Sequence, residues 1–245
     1  MKPVLVLLHG WGAHRRVWDE LAARLDKDMH VIAPDLPGYG AAPAPEPCTT
    51  ESVVDQLAVA VPAQCMVAGW SLGGQLALDW ARRYPQQVSR LMLIATTPCF
   101  VGTANWPHGM APEVFTEFSA SLTHDAAATL RRFLLLQTQG DAQARAVARQ
   151  LEAAQALQVQ PGADVLVQTL HWLQATDLRA ALPQIMQPAL VMHGDRDRIA
   201  PPAAGEYLAA HLPRARLALL TGAAHAPFIS DPAAVCRLMT DFCHE

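Results

Sequence analysis

The chain has 245 residues, 51% of them hydrophobic and 16% charged, with a formal net charge of −4. That is long and apolar enough for one large core, read as one domain with an insertion, and the slight acidity gives no general pull toward nucleic acid or an anionic membrane. No stretch approaches the roughly 18 apolar residues a membrane span needs. The opening run Val4–Leu8 is too short for a secretory signal and has no cleavage site after it. Five cysteines (Cys48, Cys65, Cys99, Cys236, Cys243) form no C-x-x-C pair. They read as reduced, mostly buried thiols, and the protein is expected in the cytoplasm.

In chain order, apolar runs at Val4–Leu8, His30–Ala33, Cys65–Ala68 and Arg90–Ile94 predict strands. Helical patterns over Val17–Leu25, Thr50–Val61 and Gly74–Tyr84 alternate with them. The proline-rich Ala41–Pro47 reads as a stiff surface loop. After the fourth run the alternation stops. From Cys99 to about Pro183 a loop-like start gives way to helical composition at Pro112–Leu122, Ala126–Thr138, Asp141–Leu157 and Gly162–Ala175. Strand runs return at Ala189–Met192 and Ala215–Leu219, with helices expected over Ala203–Leu212 and Pro232–Cys243. The pattern predicts an α/β fold with a mainly parallel sheet buried on both faces. Residues 1–98 and 184–245 would form its core. Residues 99–183 would form a helical cap over the sheet's C-terminal edge, where such folds bind ligands.

The chemistry centres on Gly69-Trp70-Ser71-Leu72-Gly73, set between a predicted strand and a predicted helix. In a G-x-S-x-G turn of this kind the serine hydroxyl is pushed out of the sheet, and a side chain at either glycine would clash across the turn. A serine nucleophile needs a base, and the base needs an orienting acid. Of ten histidines, His225 lies in a loop after the last predicted strand and before the last helix, where it can reach the top of the sheet. For the acid, Asp195 and Asp197 compete in the loop after Ala189–Met192. Asp197 is favoured because Arg198-Ile199-Ala200-Pro201 turns the chain away and leaves it at the loop tip, whereas Asp195 can brace the turn. Asp231 reads as the cap of the last helix. For the oxyanion, the Leu72 amide follows the nucleophile at a helix N-terminus, and the Trp11 amide in His9-Gly10-Trp11-Gly12 is the best-placed second donor.

At these residues the chain resembles the α/β-hydrolases. Gly10-Trp11-Gly12, Gly69–Gly74, Thr97–Phe100, Arg132-Phe133-Leu134-Leu135-Leu136-Gln137-Thr138 and His225-Ala226-Pro227-Phe228-Ile229-Ser230 are similar to the biotin-pathway carboxylesterases. That family hydrolyses the methyl ester of pimeloyl-acyl carrier protein. The resemblance implies a triad of Ser71, Asp197 and His225 and an oxyanion hole of Trp11 and Leu72. It also implies substrate contacts from Trp11, Phe133, Leu134, Leu135, Leu136, Gln137 and His225, and no cofactor or metal.

It further implies an acyl carrier protein as partner, held by Arg132, Arg145 and Arg149; the chain itself is expected to be a monomer. Arg145 and Arg149 are four apart and share a helix face, which on spacing alone reads equally as a solvated face. Residues 101–180 hold five Arg against seven Asp and Glu, so any positive patch is local. Two departures stand out. The family usually has a further strand or two before its first Val-Leu-Leu-His-Gly-like run, and here the chain starts almost on it, so the sheet is expected to be shorter at that edge, with about six strands. One family arginine position is Ala128 here, with Arg131 an extra charge nearby. A general short-chain carboxylesterase without a carrier partner is the alternative. A non-catalytic binding protein would need a broken triad, and a haloalkane dehalogenase needs a carboxylate where Ser71 stands.

Overall fold

The apolar runs form one six-stranded sheet in a computed structural model that describes residues 2–156 and 161–245. The strands are β1 (Val4–Leu8), β2 (His30–Ile32), β3 (Cys65–Trp70), β4 (Val88–Ile94), β5 (Ala189–Gly194) and β6 (Ala215–Leu220). Their spatial order is β2-β1-β3-β4-β5-β6, and every neighbouring pair runs parallel. The chain winds outward from β1 to β2, then returns to place β3 on the other side of β1. Leu8 pairs with Gly69, so the loop leaving β1 and the turn leaving β3 emerge side by side. Such a switch point is where an open parallel sheet leaves a crevice.

Strand periodicity sends alternate side chains to opposite faces. Val6, Leu8 and Val67 join one core layer, with helices α2 (Thr50–Ala60), α3 (Leu72–Arg83) and α8 (Pro202–His211). Leu5, Leu7 and Ala68 join the other, with α1 (Asp19–Leu25) and α10 (Pro232–His244). In that second layer Trp18, Trp70 and Phe228 pack ring against ring, with Trp18 and Phe228 centroids 4.4 Å apart. Burying each such ring contributes about 2–3 kcal/mol.

Between β4 and β5 lie α4 (Pro112–His124), α5 (Ala126–Gln137), α6 (Ala144–Ala156) and α7 (Ala163–Ala175). Phe115, Leu122, Phe133, Leu166 and Leu170 of these helices join the layer of α3, while Leu134, Val147 and Leu151 join that of α1. The four helices therefore straddle both layers. A one-turn helix, α9 (Pro227–Ser230), precedes α10, and Asp231 caps α10 by accepting the Ala234 N–H at 2.9 Å.

Several ends differ from expectation for local reasons. The helix expected from Val17 opens as a 3-10 turn over Arg15–Trp18, because the His14 side chain accepts the Arg16 N–H. The helix after the serine starts at Leu72 rather than Gly74, since Ser71 alone makes the turn. The helix expected from Asp141 starts at Ala144 because Asp141 folds back on the Gln143 N–H. Its expected last residue, Leu157, lies outside the described residues, as does Met1.

Candidate active site

β3 ends at Trp70 and α3 begins at Leu72, which leaves Ser71 to turn the chain with φ 55° and ψ −115°. A non-glycine residue in that region costs on the order of 1–3 kcal/mol. The turn is held by Ser71 N–H donating to the Ile94 carbonyl at 3.0 Å and Gly74 N–H donating to the Ser71 carbonyl at 2.9 Å. A Cβ on Gly69 would sit 2.2 Å from the Gly73 carbonyl oxygen, and one on Gly73 would sit 2.3 Å from that of Leu8. Both glycines are thus fixed by backbone, which cannot yield. Close packing of the strand, the turn and the β1 loop also sets the serine beside the loop that carries Trp11.

His225 lies in the loop after β6, and its Nδ1–H donates to Asp197 Oδ2 at 2.8 Å. The other oxygen, Oδ1, accepts the N–H groups of Ile199 at 2.8 Å and Ala200 at 3.0 Å. His193, at the end of β5, donates from Nε2 to the Ala200 carbonyl at 2.7 Å and lies 3.5 Å from Asp197 Oδ2. Burial opposes a charge on Asp197, yet its electrostatic pairing and hydrogen bond with His225, with the His193 ring close by, hold its carboxyl well below the usual range. Asp197 is therefore an anion that fixes His225 with Nδ1 protonated. The opposite nitrogen, Nε2, is buried and has no partner among the described residues. Asp195 accepts the Gly222 N–H at 2.7 Å and braces the turn.

Trp70 bridges the elbow and the histidine loop, donating from Nε1 to the His225 carbonyl at 2.7 Å. The site is closed in this conformation, with Ser71 7% exposed and His225 1% exposed.

The amides of Trp11 and Leu72 have no acceptor among the described residues, which leaves two donors free at adjoining turns. The β1 loop is anchored from three sides. His9 Nδ1–H donates to the Gly10 carbonyl at 2.9 Å and its Nε2 accepts the Leu36 N–H at 3.0 Å. Trp11 Nε1–H reaches the Leu166 carbonyl on α7 at 3.0 Å. Gly12 N–H meets the Tyr39 hydroxyl at 3.4 Å, which in turn bonds Thr169 on α7 at 2.9 Å. Gln155 on α6 adds a bond to the Gly12 carbonyl. Burial pushes His9 down to about 4, so it stays a neutral brace.

Of the candidate substrate contacts, Phe133 packs edge-on to Trp11 with centroids 5.0 Å apart, and Phe118 joins them at 5.4 Å. Gln137 is buried, its carbonyl accepts the His225 N–H at 3.1 Å, and its side-chain oxygen has no partner among the described residues. Leu134 is buried in the other core layer and Leu136 is half-buried. Leu135 is 57% exposed, because the helix turns it away from the face that carries Phe133 and Gln137. The structure does not bring it to the others. Arg132, Arg145 and Arg149 are exposed, on α5 and α6. None of them has an ion-pair partner among the described residues, so their charge faces solvent.

Three participants carry no sequence signal of their own: Tyr39, His193 and Asp141. Asp141 accepts the Ala224 N–H next to His225 at 2.8 Å, and also the Ser230 hydroxyl. Only the fold reveals these bonds. The five cysteines are free, and burial pushes the Cys65 thiol up to about 11, well away from reactivity. No group of three or more His, Cys, Asp or Glu able to hold a metal ion occurs among the described residues.

The alpha/beta hydrolase fold family model matches residues 3–232. The chain is 46% identical to the pimeloyl-[acyl-carrier protein] methyl ester esterase of Aromatoleum aromaticum, over 98% of each chain. It is 42% identical to the protein of the same name from Nitrosomonas europaea, over 94% of this chain and 91% of that one. Among solved structures, the enol-lactonase from Burkholderia xenovorans superposes with a TM-score of 0.85 at 26% identity, covering 100% of this chain and 92% of that one.

Proposed function

The chain belongs to the alpha/beta hydrolase fold family, and on that premise we propose that it is a serine carboxylesterase that cleaves the methyl ester of pimeloyl-acyl carrier protein in biotin synthesis. The observation that carries the chemistry is the buried Asp197–His225 bond, which leaves His225 Nε2 without a partner among the described residues, in a ring packed 5.7 Å from Trp70 of the strained serine elbow. The substrate assignment rests on the two relatives above, whose names specify that ester.

Ser71 Oγ attacks the ester carbonyl while His225 Nε2 takes its proton. Asp197 stabilises the imidazolium that results. The carbonyl oxygen becomes an anion between the Trp11 and Leu72 amides. His225 then protonates the departing methoxide, methanol leaves, and an acyl-enzyme remains. A water, deprotonated by His225, attacks that ester and releases the free pimeloyl carboxylate and Ser71.

In this reading residues 99–183 act as the cap and residues 1–98 and 184–245 as the core. Phe133 and Gln137, beside Trp11 and His225, line the acyl path. Arg132, Arg145 and Arg149 meet the carrier, which as an acidic partner is drawn by exposed, uncompensated positive charge. The five free cysteines agree with a reducing cytoplasm, and no helix among the described residues is long and apolar enough to cross a membrane.

The test is methanol release from pimeloyl-carrier methyl ester and from a free short-chain methyl ester, each at low and high salt. The proposal expects preference for the carrier-bound ester, weakened by salt. Equal turnover of both without a salt effect would replace it with a general short-chain carboxylesterase.

A further inference from the structure

We infer that Asp141 is a positioning residue for His225: it fixes the histidine loop to the helical insertion, so that the ring's orientation depends on how the insertion is seated. The inference rests on the serine-esterase reading above. Asp141 lies in the turn between α5 and α6, 83 positions before the loop residue it binds, and is 8% exposed. One oxygen, Oδ1, accepts the Gln143 N–H at 2.7 Å, which is all the turn itself requires. The other, Oδ2, serves the histidine loop alone. It accepts the N–H of Ala224, the residue before His225, at 2.8 Å, and the hydroxyl of Ser230 in α9, after it. The carboxylate thus clamps the loop on both sides of the base.

Neighbouring bonds run the same way. His225 N–H donates to the Gln137 carbonyl at 3.1 Å, and Ala142 N–H donates to the Gly222 carbonyl at 2.8 Å. Gln143 Nε2 donates to the Ser230 carbonyl at 2.8 Å, and Arg196 Nη1 reaches the Gly140 carbonyl at 3.2 Å from the loop that carries Asp197. Residues 137–143 therefore hold both loops that must meet for the Asp197–His225 bond. Asp141 is the one carboxylate that residues 137–143 bring to that joint, beside Asp195, which ties the two loops to each other through Gly222, and hydrogen bonds to a charged acceptor are the strong ones. Without it the loop can shift, and a displacement of about 1 Å from productive geometry can cost on the order of 100-fold in rate.

The test compares wild type, Asp141→Ala, Asp141→Asn and Ser230→Ala on a free short-chain ester, where carrier contacts play no part. It follows kcat and KM across pH, with thermal unfolding as a check on folding. Asp141→Ala is expected to lose kcat by about 10–100-fold with KM changed less than about threefold. The acidic limb of its kcat profile should move to lower pH, because an imidazolium held less closely on Asp197 is less stabilised. Asp141→Asn keeps one oxygen for Ala224 but loses the charge and turns its NH2 toward the Gln143 N–H, so it should recover only part of the loss. Ser230→Ala removes one donor to the clamp and should show the same limb shift with a loss of about two- to fivefold, which carries the test if Asp141→Ala does not fold. A kcat and an acidic limb like wild type in Asp141→Ala, or in Ser230→Ala where the former is unfolded, would overturn the inference, whatever the change in melting temperature. Failure of the esterase reading looks different: no ester hydrolysis by wild type, or hydrolysis retained in Ser71→Ala.

Discussion

Asp197 and His225, 28 positions apart, meet in a buried 2.8 Å hydrogen bond that fixes which imidazole nitrogen carries the proton. Two backbone amides hold the far carboxylate oxygen, so the acid cannot rotate away. Replacing Asp197 by Asn offers His225 an amide in place of an anion and permits the wrong tautomer. We expect kcat to fall about 10³–10⁴-fold with the fold intact, read by steady-state kinetics alongside far-UV circular dichroism. A loss below tenfold would remove Asp197 from the triad.

The elbow glycines are set by distance. Gly69→Ala and Gly73→Ala each push a Cβ to within 2.4 Å of fixed backbone, and each should cost more than about 3 kcal/mol or prevent folding. Gly162→Ala, with nothing among the described residues within 4 Å of its Cβ, should stay within about 0.5 kcal/mol of wild type. Urea unfolding compares the three.

His9 gives a pH signature. Its pKa is about 4 in the folded protein against 6.5 when unfolded, so the unfolded chain binds the extra proton between those values. The stability His9 contributes is full above pH 6.5 and is lost as pH falls toward 4, on the order of 3 kcal/mol in all. His9→Gln, whose Oε1 can still accept the Leu36 N–H, should lose clearly less stability than wild type between pH 7.5 and 4.5. Parallel losses in urea titrations would show that another group sets the dependence.

Much of this was legible in the sequence, and the reasons differ by element. The strands showed because a parallel sheet buried on both faces needs uninterrupted apolar runs such as Val4–Leu8 and Ala189–Met192. The elbow showed because two glycines at fixed spacing answer a steric need within five residues. Asp197 could be separated from Asp195 by the direction of the chain after it. Tyr39 and Asp141 stayed hidden because their work is done across long separations: Tyr39 binds Thr169 130 positions on, and Asp141 binds Ser230 89 positions on. The exposure of Leu135 was hidden for another reason, since a run of three leucines does not say which one a helix turns outward.

The arginine face predicts a split between substrates. Reversing Arg132, Arg145 and Arg149 to Glu should raise KM for the carrier-bound ester at low salt by more than about tenfold, leaving the free ester untouched. Because all three side chains are exposed, folding should not suffer. An equal change for both esters would place the effect in the cap rather than in carrier recognition.

Active-site labelling distinguishes Ser71 from every other candidate nucleophile. Wild type is treated with a fluorophosphonate, digested and mapped by mass spectrometry, with hydrolysis followed in parallel and Ser71→Ala as the control. One equivalent of label is expected, on Ser71, with hydrolysis falling in step and no labelling or turnover in Ser71→Ala. Label on another residue, or undiminished hydrolysis by Ser71→Ala, would contradict Ser71 as the nucleophile.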